Sequence, residues 1–223
     1  LRRPVSAPAV GRLVARGRFI TLEGGEGAGK SVQRDRVVAR LRAAGFEVFA
    51  TREPGGSRSA EAVRDLLLAH GTDWQPLSEA LLHAAARSEH LAETVRPALT
   101  AGRWVVSDRF SDSTRAYQGW GQGVPLQALD QLERMVVADT RPDLTLMLDV
   151  APEVGLARVQ GRGQGADRYE AMDLSFHRRL RDGYRAIAEA APERCVLIDA
   201  SGSEDAVAAE IRDAVRERLG VAV

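Results

Sequence analysis

The sequence predicts an α/β fold, a parallel five-stranded sheet with helices on both faces. Three observations carry this. Apolar runs of strand length recur at residues 19–22, 46–50, 104–107, 144–150 and 194–199. Between them lie segments whose apolar residues recur at helical spacing. Strands that alternate with helices pair in parallel through crossovers, which covers both sheet faces. Glycines, hydroxyls, acids and arginines then gather just after the apolar runs, at residues 23–31, 51–56, 107–109, 149–151 and 199–201. In parallel sheets the carboxyl ends of the strands are where ligands bind.

A chain of 223 residues fits one large domain. Residues 18–220 read as that single domain, with neither an internal repeat nor a linker. Residues 1–17 are rich in Arg, Ala and Pro and precede the first strand. Their arginines and lack of acids resemble a transit peptide, but Pro4 and Pro8 favour a disordered tail. Lys and Arg together number 31, as do Asp and Glu, so the formal net charge is zero. That gives no overall pull towards nucleic acid or membrane. No run approaches the roughly 18 apolar residues of a membrane helix, and the cytoplasm is the expected compartment. Cys195 sits in an apolar run as a buried, inert thiol without an internal disulfide partner. The four histidines show no metal-ligand spacing.

In chain order, a helix over 30–44 carries Val37, Val38 and Leu41 on one face and stops at Gly45. A turn-rich segment, 51–56, follows the second strand. Helices are predicted over 59–69 and 78–101, the latter open to a bend at Pro97. The strand at 104–107 leads to Asp108 and Arg109, then to a hydroxyl-, aromatic- and glycine-bearing stretch, SDSTRAYQGWGQG. Further helices are expected over 125–138, from Pro152 towards Gly161, over 174–190 and over 203–219. Residues 161–168 read as a mobile loop.

The most informative stretch is Gly24-Gly25-Glu26-Gly27-Ala28-Gly29-Lys30-Ser31, which fits G-x-x-x-x-G-K-[ST] with a strand before and a helix after. This makes the fold a P-loop NTPase type. Its glycines let successive N–H groups converge on phosphate oxygens, and the following helix turns its positive end to the same anion. Lys30 can reach the outer phosphates of a bound nucleotide, and the Ser31 hydroxyl can ligate Mg²⁺. Lys30 is the only lysine in the chain. Arginine, larger and planar, is no substitute for a mobile point charge at this position. Asp108 follows its strand as a carboxylate available to Mg²⁺ or its waters, and Arg109 can clamp a second phosphate.

Several separated blocks resemble the bacterial thymidylate kinases among P-loop nucleoside monophosphate kinases. They are EGGEGAGKS, TREPGG at 51–56, AAARSEH at 84–90, SDRFSDSTRAYQG at 107–119, RPDLTLMLDVAPEVGLAR at 141–158 and DR at 167–168. TREPGG combined with D-R-x₄-T-x-A-Y-Q-G is the specific part. The resemblance implies transfer of the ATP γ-phosphoryl group to dTMP, giving dTDP and ADP. It implies that Arg109 and Arg64 grip the dTMP phosphate, that Arg87 addresses the thymine edge, and that Thr114 and Gln118 hydrogen-bond the base. Tyr117 would pack beneath the deoxyribose and exclude a 2′-hydroxyl, with Glu26 and Glu53 near the sugar and phosphates. Arg158, Arg162 and Arg168 would belong to a lid over ATP. The phosphate loop has no arginine of its own, so Arg162 and Arg168 become candidates for the catalytic cation; the alternative for each is a solvated loop arginine. A homodimer through helices around 78–101 and 125–138 is implied, although their apolar positions also suit an ordinary core.

Two positions depart from the family pattern. His83, four before Arg87, stands where an aromatic ring usually stacks on thymine, which predicts weaker or pH-sensitive dTMP affinity, or simply a histidine satisfied on its helix. Val32 stands where a second hydroxyl often follows the Mg²⁺ ligand, at a cost of about 1 kcal/mol of hydrogen bonding. The nearest rival is a kinase for another deoxynucleoside monophosphate such as dUMP. A remoter one is a non-catalytic nucleotide sensor.

Overall fold

A computed structural model describes residues 15–69, 72–161 and 168–222. Five parallel strands form one sheet: β1 (Phe19–Gly24), β2 (Val48–Arg52), β3 (Trp104–Asp108), β4 (Leu144–Asp149) and β5 (Cys195–Asp199). Their order is β2-β3-β1-β4-β5, so the strand that feeds the phosphate loop is central. All four ladders are parallel, as the alternation of strands and helices requires.

Although β1 is buried throughout, its alternate residues serve different faces. Ile20 and Leu22, with Leu146 and Leu148 of β4, pack against α1 (Lys30–Ala43) and α9 (Glu204–Leu219) through Val37, Val38, Leu41, Val207 and Ile211. On the other face Phe19 and Val105 meet Leu91, Val95 and Phe110, while Met147 meets Tyr117, Phe176, Leu180 and Tyr184. Thr21 and Thr145 satisfy each other there at 2.9 Å. Burial pushes the Cys195 thiol up to about 12, which makes it the inert group expected.

β2 lies two residues later than the apolar run suggested. Thr51 and Arg52 continue its ladder opposite Ser107 and Asp108, whereas Phe46 leaves the sheet to pack against Trp104. As an edge strand, β2 is only partly buried, and its apolar residues do not mark its ends. α2 spans Arg58–Leu68 and is capped by the Ser57 hydroxyl. The long helix predicted over 78–101 is α3 (Pro76–His90), a wider π-helical turn at Leu91–Val95 and α4 (Arg96–Thr100). In that turn the Arg96 N–H reaches back five residues to the Leu91 carbonyl. The wide turn ends just before Pro97, whose ring would meet the carbonyl of Glu93 in an unbroken α-helix.

The stretch after Arg109 is helical, which its glycines and aromatics concealed: α5 (Ser111–Thr114) runs into π-helical turns over Arg115–Gly121. Glycine is needed at Gly121 because a Cβ there would lie 2.4 Å from the Phe176 ring. α6 (Leu126–Val136), α7 (Pro152–Gln160) and α8 (Leu174–Ala190) complete the layers. Gly17, within the expected tail, donates its N–H to the Leu99 carbonyl at 2.9 Å, and Arg16 reaches Asp143 at 3.1 Å. Among the described residues no helix is long and apolar enough to cross a membrane.

Candidate active site

The loop between β1 and α1 turns through positive φ at Gly24, Gly27 and Gly29. At Gly27 the demand is also steric. A Cβ there would come within 2.0 Å of the Gly155 carbonyl oxygen, and one on Gly155 within 2.2 Å of that of Glu26. The loop is thus pressed against the first turns of α7 by glycine on both sides. No side chain caps α1, and its first turn carries no acid, so its leading N–H groups and positive dipole end face the loop. Lys30 Nζ donates to the Gly24 and Gly25 carbonyls at 3.0 and 2.7 Å. Burial, with Arg109 nearby, brings this ammonium down to about 8. Val32 is exposed.

The Ser31 hydroxyl donates to Asp108 Oδ2 at 2.5 Å, joining the start of α1 to the end of β3. This pair supplies hard oxygen donors of the kind Mg²⁺ takes, and among the described residues no cluster of three or more His, Cys, Asp or Glu could hold a metal alone. The donor set therefore fits a cation that draws its other ligands from phosphates and water.

Arg109 follows with φ of 70°, a strained conformation for a residue with a Cβ. That kink turns the guanidinium back beneath the phosphate loop. Nη1 donates to the Gly24 carbonyl at 3.1 Å and Tyr184 Oη at 3.2 Å, while Nη2 donates to Glu26 Oε1 and Tyr117 Oη, each at 2.8 Å. Tyr117 also donates to Glu26. Burial alone would raise Glu26; Arg109 and then Lys30 outweigh it and hold the carboxyl at about 2. Behind this triad Glu23 accepts from the Phe110 N–H at 2.7 Å and Ser113 Oγ at 2.5 Å. Burial and the nearby Asp112 push Glu23 up to about 8.

A cleft of about 230 Å³ opens beside the loop. It brings together eleven of the residues singled out from the sequence: Glu26, Ser31, Glu53, Arg64, His83, Arg87, Asp108, Arg109, Thr114, Tyr117 and Gln118. Arg87 is buried and held at two of its three nitrogens: Nε donates to Glu53 Oε2 at 2.7 Å, and Nη2 to the Phe110 carbonyl and Thr114 Oγ1 at 3.0 and 3.1 Å. Glu53 is in turn braced by His90 Nδ1 at 2.9 Å, and Thr51 holds the far side of that ring at 2.8 Å. Arg64 Nη1 donates to the Pro54 carbonyl at 2.7 Å.

Three residues behave differently from expectation. His83 Nε2 lies 3.2 Å from Tyr169 Oη, and burial together with Arg87, Arg109, Arg64 and Arg168 drives its pKa down to about 3. A ring so shifted carries no charge near neutral pH, which argues against pH-sensitive affinity through its titration. Arg168, expected over ATP, instead pairs with the buried Glu79 at 3.2 Å. Arg158 grips the loop after β5, donating to the carbonyls of Ala200 at 2.8 Å and Ser201 at 2.9 Å. Arg162 lies outside the described residues.

Nothing local in the sequence marks Tyr169 or Glu79 as site residues. Tyr169 lies just beyond the 161–168 segment read as a loop and before the next predicted helix, and Glu79 lies in a helix where a carboxylate ordinarily signals a solvated face. The same holds for Arg181, which pairs with Asp149 at 2.6 Å beyond β4.

The family profile described as thymidylate kinase matches residues 22–211. A thymidylate kinase from Caulobacter vibrioides is 52% identical over 209 residues, covering 93% of this chain and all of that protein. One from a Synechococcus species is 50% identical over 204 residues, covering 92% and 97% of the two chains. The crystal structure of thymidylate kinase from Ehrlichia chaffeensis superposes with a TM-score of 0.74 at 35% identity, covering 90% of this chain and 99% of that one. These matches run over almost the whole length of the chain and of its relatives, and the chain belongs to the thymidylate kinase family.

Proposed function

We propose that this chain transfers the γ-phosphoryl group of ATP to dTMP, giving dTDP and ADP, with the cleft beside the phosphate loop as the acceptor site. The observation that carries the reading is Arg109, whose strained backbone aims one guanidinium at both the loop carbonyl of Gly24 and the cleft residues Glu26 and Tyr117. A cation at that junction touches donor and acceptor phosphates alike.

The acceptor is already an anion, so alignment and charge neutralisation matter more than a strong base. The N–H groups of Gly24 to Ser31 hold the donor phosphates, with Lys30 moving from its carbonyl partners to the outer ones. Ser31 and Asp108 would hold Mg²⁺, which when bound offsets charge on the triphosphate. Arg109 and Arg64 clamp the dTMP phosphate, and Arg87, Thr114 and Gln118 address the base. Tyr117, fixed by Glu26 and Arg109, offers its ring to the deoxyribose, which leaves no room for a 2′-hydroxyl. Arg162 and Arg168 are the proposed sources of the catalytic cation, and Arg168 would leave Glu79 to serve. Arg158 secures the β5–α9 loop on the donor side. Closure of such arginines excludes water and suppresses wasteful hydrolysis. A homodimer and a cytoplasmic location complete the reading, supported by the resemblance to the family.

A coupled ADP-release assay with ATP and Mg²⁺ tests this, with dTMP, dUMP, UMP, dCMP, dGMP and AMP as acceptors. Turnover strongest with dTMP is expected. Preference for another monophosphate would re-aim the base pocket, and tight ATP binding without any turnover would overturn the kinase reading.

A further inference from the structure

One buried carboxylate, behind the residues that line the cleft, touches no part of it directly. Glu79, on α3, is fully buried, accepts from Gln118 Nε2 at 2.9 Å, Gln122 Nε2 at 3.2 Å and the Tyr169 hydroxyl, and forms an ion pair with Arg168 Nη2 at 3.2 Å. Every neighbour presents a donor, as an acceptor-only carboxylate demands. The consequence falls on Gln118. An amide can face either way round, offering NH₂ or C=O, and only its surroundings choose. Glu79 takes the NH₂. Gln118 is itself fully buried and lines the cleft, and its Oε1 has no partner among the described residues. A buried amide oxygen left without a donor is costly unless a ligand supplies one.

We infer that Glu79 is a positioning residue that sets base specificity by fixing the Gln118 amide with its carbonyl oxygen towards the base. The inference rests on the dTMP reading above. Thymine and uracil carry an N–H at N3 and can donate to that oxygen. Cytosine has a lone pair at N3 and meets it acceptor to acceptor. Discrimination against a base that leaves the site's polar group unpaired is large. Glu79 thus rejects cytosine without touching the nucleotide, by deciding which end of an amide the nucleotide sees.

Glu79→Gln tests this, since a glutamine at this position can donate as well as accept and lets Gln118 turn over. Steady-state kinetics with dTMP and dCMP should show the ratio of their kcat/KM values falling at least tenfold. The change should be carried mainly by KM, with kcat for dTMP reduced less. Wild-type turnover of dTMP in the same assay checks the underlying reading separately, because its absence would defeat the dTMP assignment whatever the variant does. A variant that folds and loses activity on both acceptors in equal proportion would overturn the inference. So would one that keeps the wild-type ratio. Should the variant fail to fold, amide-proton NMR of the wild-type protein decides. The Gln118 side-chain NH₂ should stay protected from exchange both free and with dTMP bound. An NH₂ that exchanges freely in either state would show that Glu79 does not hold it.

Discussion

Ser31 and Asp108 share a 2.5 Å hydrogen bond across the mouth of the sheet, linking the first turn of α1 to the last residue of β3. These are the two protein oxygens proposed to meet Mg²⁺, and they are pre-assembled by strands that already pair. Ser31→Ala should therefore raise the Mg²⁺ concentration for half-maximal turnover by about tenfold, the worth of one good interaction of about 1.4 kcal/mol. Its melting temperature should stay within a few degrees of wild type, because the hydroxyl supports no core packing. An unchanged Mg²⁺ dependence would remove Ser31 from the metal site.

Lys30 combines function with a stability cost. Its ammonium is buried among backbone carbonyls, and burial draws its pKa from 10.5 to about 8. The charged form is therefore penalised in the fold at neutral pH, and the penalty is relieved as pH rises from about 8 towards 10.5. Lys30→Met should lose turnover by at least about a hundredfold, in line with loss of a cation on the transferring group, yet melt no lower than wild type at pH 7. A large fall in melting temperature would show that the two carbonyl bonds outweigh the cost of burying the charge.

The contact of Gly27 with Gly155 admits no side chain on either partner. In Gly155→Ala the new methyl would sit 2.2 Å from the Glu26 carbonyl oxygen, and backbone has to move. The expected cost is about 1–3 kcal/mol of stability, with a rise in KM for ATP because the displaced element is the phosphate loop. Thermal melts and ATP titration check both. Wild-type values in each would show that α7 gives way freely.

For His83 the sign is definite. Its pKa falls from 6.5 to about 3 in the fold, so the neutral ring's contribution to stability is present above pH 6.5 and is lost as pH drops from there towards 3. By pH 5 the loss amounts to about 2 kcal/mol. His83→Phe should thus gain stability relative to wild type between pH 7 and 5. Over pH 6–8 the ratio of the two dTMP KM values should be flat, since dTMP's own phosphate titration cancels. A ratio that moves with pH would mean that the ring titrates there after all.

Much of this site was legible because its chemistry is local. A lone lysine in a chain of arginines, glycines where φ turns positive, and an acid–arginine pair after an apolar strand each state a physical need in a few residues. β1 and β4, buried on both faces, announced themselves as apolar runs. β2 did not, since an edge strand need not be apolar to its ends. The helical turns at 111–121 were hidden because their glycines answer to the Phe176 and Leu126 side chains packed on them, not to chain flexibility. Glu79 and Tyr169 were invisible for a related reason. They lie 90 residues apart and gain meaning only from meeting, as does the partnership of Arg168 with Glu79, which no spacing encodes.

If phosphate loop and cleft form one in-line site joined at Arg109, a single ligand can fill both. A bisubstrate probe, adenosine and thymidine bridged through their 5′ oxygens by five phosphates, measures this by isothermal titration calorimetry. One probe per chain is expected, bound at least a hundredfold more tightly than ATP or dTMP alone, with most of that gain lost in Arg109→Ala. Binding no tighter than ATP, with Arg109→Ala indifferent, would contradict a joint site.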